Sequence, residues 1–173
     1  MNNVNFKNSR NLNLSGNLYP AGTDDIIILC HGFTSDKYSS GRFERLTKAL
    51  NSINISAFTF DFSGCGESDD DSLNMDKETD DLKSAINYVK NLGYKRIALY
   101  GHSLGTVICL KAFTKEIIVM TFSGAGTDSM KYNWNELFGE SDEGIREKRG
   151  NNRTKAWTGK RKDSNRGADA ERI

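Results

Sequence analysis

The 173-residue sequence predicts an α/β fold, a mostly parallel sheet with helices on both faces. Two observations carry this. Short, continuously apolar runs recur as Ile26–Cys30, Ile55–Phe60, Ile97–Tyr100 and Ile117–Phe122, which suits strands buried on both faces of a sheet. Amphipathic segments with helical spacing separate them. A third observation limits the fold to the first part of the chain: the alternation stops near Gly139.

In chain order, Val4–Asn8 and Leu12–Leu18 read as a hairpin or a pair of edge strands, closed by the turn signal Tyr19-Pro20-Ala21-Gly22. Ile26–Cys30 follows, flanked by Asp24-Asp25 and His31-Gly32. A helix presents Phe43, Leu46 and Leu50, with Ser39-Ser40 ahead of it as the expected cap. After the strand Ile55–Phe60, a second helix presents Leu82, Ala85, Ile86 and Val89 and stops at Gly93. Leu104, Val107, Ile108 and Leu110 begin a third helix, reaching Phe113, directly after the strand Ile97–Tyr100. Ile117–Phe122 is the last strand of this kind.

The remainder is a different kind of sequence. Residues 1–140 hold 14 Lys+Arg against 17 Asp+Glu, whereas residues 141–173 hold 10 against 6, for a net charge of +1. Ser141–Ile173 has only Ile145, Trp157, Ile173 and three alanines as apolar residues, without period. Such a segment cannot offset its own ordering entropy and is expected to be disordered or weakly helical. Two regions are therefore expected: a folded domain over 1–138 and a basic tail over 139–173. The tail explains why apolar content is 36%, below the roughly 45–50% of a globular domain.

Cys30, Cys65 and Cys109 form no CxxC pair, and two of them sit in apolar runs. Buried free thiols in a reducing compartment are expected. The N-terminal MNNVNFKNSRNLNLSG has no apolar stretch like that of a signal peptide, and no run approaches the roughly 18 apolar residues of a membrane span. The expectation is a soluble cytoplasmic protein with no membrane partner.

The chemistry centres on Gly101-His102-Ser103-Leu104-Gly105. This is the Gly-x-Ser-x-Gly spacing of a nucleophile elbow, in which the serine occupies a strained strand-to-helix turn and side chains at the glycine positions would strike neighbouring backbone. A strand before it and a helix after it supply the context the motif requires. Ser103 is the expected nucleophile. His31-Gly32-Phe33 makes a sharp turn after Ile26–Cys30, and the backbone N–H groups of Phe33 and Leu104 are expected to form an oxyanion hole. His31 itself is read as shaping the turn. Asp61-Phe62-Ser63-Gly64-Cys65-Gly66-Glu67-Ser68, with Asp69-Asp70-Asp71 beyond, reads as a solvated acidic loop, because it lacks the glycine and distal glutamate of an oxygen-ligand loop. No metal or other cofactor is implied, since nothing resembles a metal cluster, a P-loop or a dinucleotide turn.

These three motifs, in this order and with these gaps, resemble the α/β-hydrolases. More narrowly they resemble the cytoplasmic esterases that include feruloyl or cinnamoyl esterases, monoacylglycerol lipases and serine aminopeptidase relatives. The resemblance covers roughly residues 4–138. It implies a small-molecule ester or related acyl substrate, Ser103 as nucleophile, the Phe33 and Leu104 amides as oxyanion donors, and Val119–Phe122 as the sixth strand of the family's eight.

The family's triad runs Ser, then Asp or Glu, then His, with the acid after the seventh strand and the histidine after the eighth. The sequence holds only His31 and His102, both ahead of Ser103. The expectation is therefore a partial α/β-hydrolase fold with strands seven and eight missing, C-terminally truncated or frameshifted, and nearly inactive as written. Asp128 remains as an acid without a histidine to orient, and His31 as a conceivable substitute base. A frameshift near residues 140–150 accounts for both the tail and the missing strands: Arg149-Gly150-Asn151-Asn152-Arg153, in an A/T-rich gene read one base later, recodes to a Glu-Glu-Ile-Ile-Glu type of sequence. The alternatives are a catalytically dead relative that binds a ligand or partner and, least favoured, a basic arm from Arg146 to Arg166 that binds nucleic acid. The sequence carries no signal for an oligomeric state.

Overall fold

A computed structural model of the chain describes residues 1–126, which lie in one compact unit, Met1–Ser129. The expected seam at 138/139, the tail and Asp128 lie outside the described residues.

Nine elements follow one another: β1 (Asn2–Lys7), β2 (Asn13–Tyr19), β3 (Asp25–Cys30), α1 (Arg42–Ser52), β4 (Ser56–Phe60), α2 (Met75–Asn91), β5 (Arg96–His102), α3 (Leu104–Lys111) and β6 (Ile117–Ser123). The strands form one sheet in the order β1-β2-β4-β3-β5-β6. β1 and β2 pair antiparallel, as does β2 with β4, while β3 is parallel to both β4 and β5, and β5 to β6. The α/β reading holds, with the hairpin at one edge making the sheet mixed.

Period-2 alternation divides the apolar residues between two cores. Ile26, Ile28, Phe58 and Phe60 pack with Leu82, Ala85, Ile86 and Val89 of α2 and with Ile108 and Cys109 of α3. On the other face Leu29 and Ala57 pack with Phe43 of α1, flanked by Leu46 and Leu50. Helices therefore cover both faces. Cys30, Cys65 and Cys109 are buried and in no disulfide. Among the described residues no helix is long and apolar enough to cross a membrane.

Three local expectations are corrected. The cap of α1 is Gly41 in a left-handed conformation, φ 77°, because Ser39 Oγ is taken by Arg42 Nη1 instead. α3 stops at Lys111, short of Phe113, which is exposed. β6 is not buried on both faces: only Ile117 is buried, and Ile118, Val119 and Phe122 are exposed, because β6 is the edge strand among the described residues. The expectation that strands seven and eight are missing falls outside the described residues.

Candidate active site

Ser103 stands where β5 becomes α3, at the C-terminal edge of the parallel strands. It is exposed, with φ 53° and ψ −121°, outside the region that L-residues ordinarily occupy. Such a conformation is costly and persists only where its surroundings over-determine it. The surroundings here are backbone. A Cβ at Gly101 would lie 2.7 Å from Cα and N of Thr106, and one at Gly105 would lie 2.4 Å from the Cys30 carbonyl oxygen. The two glycines thus let α3 turn back against β3 and thrust the serine outward. Ser103 N–H donates to the Ser123 carbonyl at 3.0 Å, which ties the elbow to β6.

The turn after β3 lies against this elbow. A Cβ on Gly32 would come within 3.1 Å of Ser103 Cβ and 3.5 Å of its Oγ. Phe33 follows Gly32 directly and is half-buried. Leu104 is the first residue of α3, so its N–H has no acceptor within the helix. The sequence-predicted nucleophile and both amide-bearing turns are therefore brought to one place.

Neither histidine serves Ser103. His31 is 2% exposed. Its Nδ1–H donates to the Gly32 carbonyl at 2.8 Å, and its Nε2 accepts the Phe62 N–H at 3.2 Å. Burial holds it below the ordinary histidine pKa, and as a neutral ring with both nitrogens engaged it cannot take a proton from Ser103. His102 shares a hydrogen bond with Ser123 Oγ through Nδ1 at 2.8 Å; burial and the Arg42 charge also lower its pKa. Among the described residues Ser103 Oγ has no hydrogen-bond partner. None of them form a group of three or more His, Cys, Asp or Glu able to hold a metal ion. A depression of about 340 Å³ lined by Leu18, Pro20, Asp24, Leu92 and Tyr94 lies at the N-terminal edge of the sheet, opposite the elbow.

The elbow, its glycines and the apposed turn fall inside residues 21–125, which match the model of the family described as serine aminopeptidase, S33. That is more than half of the chain. The chain belongs to this hydrolase family. Among solved structures it is similar to an esterase of Pyrococcus furiosus, at 26% identity and a TM-score of 0.67, covering 72% of this chain and 48% of that one. It is also similar to an alpha/beta hydrolase from Penicillium, at 24% identity and TM-score 0.66, covering 72% and 45%. An esterase from Exiguobacterium antarcticum matches at 17% identity and TM-score 0.62, covering 83% and 53%. The last two likenesses carry the fold alone. No curated protein sequence matches the chain. The chain spans about half the length of these solved structures.

For this hydrolase chain the reading of the loop after β4 is corrected. It is not solvated at its root: Asp61 is 1% exposed and Lys37, far off in sequence, is 2% exposed, and the two form a buried ion pair at 2.9 Å. Further along, Asp71 pairs with Lys77 at 2.5 Å and with Arg10 at 3.3 Å. Arg10 also binds Asp80 and the buried Asp81, whose carboxylate accepts Ser63 N–H and Oγ–H and the Asn8 amide. Sequence spacing offers no signal for these pairs, because their partners come from the β1–β2 turn, the β3–α1 turn and α2.

Proposed function

We propose that the chain is a serine hydrolase of carboxylesterase type, acting on small esters with Ser103 as nucleophile. The observation that carries this reading is the strained, exposed conformation of Ser103 at the head of α3. The likeness to the Pyrococcus furiosus esterase supports an ester substrate. Ser103 Oγ attacks the ester carbonyl and loses its proton to a base. The carbonyl oxygen, now an oxyanion, is received by the Phe33 and Leu104 N–H groups. The alcohol leaves with a proton, and water then releases the acid from the acyl-enzyme.

The base is the incomplete part. With both histidines committed elsewhere, the 173-residue chain by itself turns over slowly, since losing one member of such a unit can cost on the order of 10⁶ in rate. Hydrolysis of p-nitrophenyl butyrate, measured for the wild type and for Ser103→Ala with and without imidazole, tests the proposal. A small Ser103-dependent rate that imidazole raises at least tenfold is expected. Equal rates in both proteins under both conditions would sink it. The commitment of both histidines also favours a second reading, a non-catalytic relative that retains only binding. In that case the imidazole-dependent difference is absent.

A further inference from the structure

Outside the elbow, Asp61, the first residue after β4, is a buried carboxylate at the reacting edge that accepts three hydrogen bonds. Its Oδ1 accepts the Lys37 backbone N–H at 2.5 Å. Its Oδ2 accepts both Lys37 Nζ and the Glu67 N–H, each at 2.9 Å. Gly66, at φ 53°, leaves room for it, since a Cβ there would lie 2.3 Å from the Asp61 carboxylate. Lys37 Nζ donates in addition to Glu67 Oε2 at 2.7 Å and Ser15 Oγ at 2.9 Å. Burial works against the Lys37 ammonium, but the Glu67 and Asp61 carboxylates outweigh it and hold its pKa above the ordinary lysine value.

A buried ion pair is a weak way to stabilise a fold, because apolar residues of similar volume often do as well or better. Its placement suggests what it does. Lys37 sits in the β3–α1 turn beyond Phe33, and His31 sits just before it. The β4–α2 loop grips that turn at both points, through the Phe62 N–H on His31 and through Asp61 on Lys37. Gly32 and Phe33 lie between the two grips. The turn needs holding: Thr34, Ser39 and Ser40 have φ of 53°, 47° and 55°, left-handed values that side-chain-bearing residues adopt only under constraint.

We propose that Asp61 is a positioning residue for the oxyanion turn, its carboxylate fixing, through Lys37, the backbone that carries the Phe33 N–H opposite Ser103. This rests on the reading of that N–H as an oxyanion donor. Such donors act only when set in advance of the reaction, so a loosened turn lowers the rate of attack while leaving ligand binding largely intact.

The test uses the full chain and two variants, Asp61→Ala and the milder Asp61→Asn, which keeps an oxygen for the Lys37 N–H. Amide hydrogen exchange of residues 32–39 is followed by mass spectrometry alongside β3 and β4. The inactivation rate constant and the binding constant for a fluorophosphonate are read separately, with Ser103→Ala as blank. Exchange in the turn is expected to quicken at least tenfold in Asp61→Ala and less in Asp61→Asn, with β3 and β4 unchanged. The inactivation rate constant is expected to fall in the same order, about tenfold or more for Ala, with the binding constant within threefold. If Asp61→Ala does not fold, Asp61→Asn against the wild type decides. Unchanged exchange in the turn overturns the proposal, as does quickened exchange with an unchanged inactivation rate constant. A wild type that takes no label at Ser103 counts against the esterase reading alone, and the exchange comparison then decides whether Asp61 anchors the turn.

Discussion

Glu78, on α2, is 5% exposed, and burial, with the Asp81 charge adding to it, pushes its carboxyl up to about 7 from an ordinary 4.5. Between those values the folded chain holds a proton that the unfolded chain has released. The stability belonging to the neutral carboxyl is full below pH 4.5 and is lost as pH rises through about 7. At pH 8 the buried carboxylate therefore costs about 3 kcal/mol. Glu78→Gln, which is neutral at every pH, is expected to raise the unfolding free energy at pH 8 by about 2–3 kcal/mol and at pH 5 by under about 1 kcal/mol. Urea denaturation at the two pH values checks this, and an equal gain at both contradicts it. His31 works in the opposite sense. Its pKa is depressed, so its contribution is present above the unfolded value of 6.5 and is lost as pH falls towards the folded one, when Nε2 can no longer accept the Phe62 N–H.

At the scale of elements, β6 presents Ile118, Val119 and Phe122 to solvent along the edge of the described sheet. An apolar edge with open backbone groups invites pairing with another strand. Val119→Lys is expected to shift sedimentation towards smaller species while changing stability by under about 0.5 kcal/mol, as exposed substitutions usually do. A distribution no different from the wild type would argue that β6 takes no part in self-association. β6 also marks what the sequence could and could not disclose. Ile117–Phe122 announces a strand through its β-branched run, but burial depends on what lies beside it, which no local pattern encodes. β3, β5 and α2 were legible because period and punctuation agreed, with Gly93 closing α2. The cap of α1 was not, because Ser39 is a good capping residue whose Oγ is taken by Arg42 Nη1 instead. The solvated reading of Asp61 failed for a related reason: its cation comes from the β3–α1 turn, and only folding brings the two together.

At the scale of the molecule, two loops and an elbow converge at the C-terminal edge of β3, β4 and β5. The elbow was fully legible, since backbone contacts at Gly101 and Gly105 leave no alternative to glycine and so write the motif into the sequence. The apposition of Gly32 to Ser103 follows from β3 and β5 being neighbours, which the alternation of strands and helices does not by itself dictate. The double grip on the β3–α1 turn was illegible, being a property of loop against loop. Ser103 is the proposed reacting group of this hydrolase chain, and among the described residues no base is hydrogen-bonded to it. Mapping the fluorophosphonate adduct by peptide mass spectrometry, with and without imidazole, tests it most directly. A single adduct on Ser103, slow alone and accelerated by imidazole, is the predicted result; an adduct that forms only on other hydroxyls, or none in either condition, would contradict it.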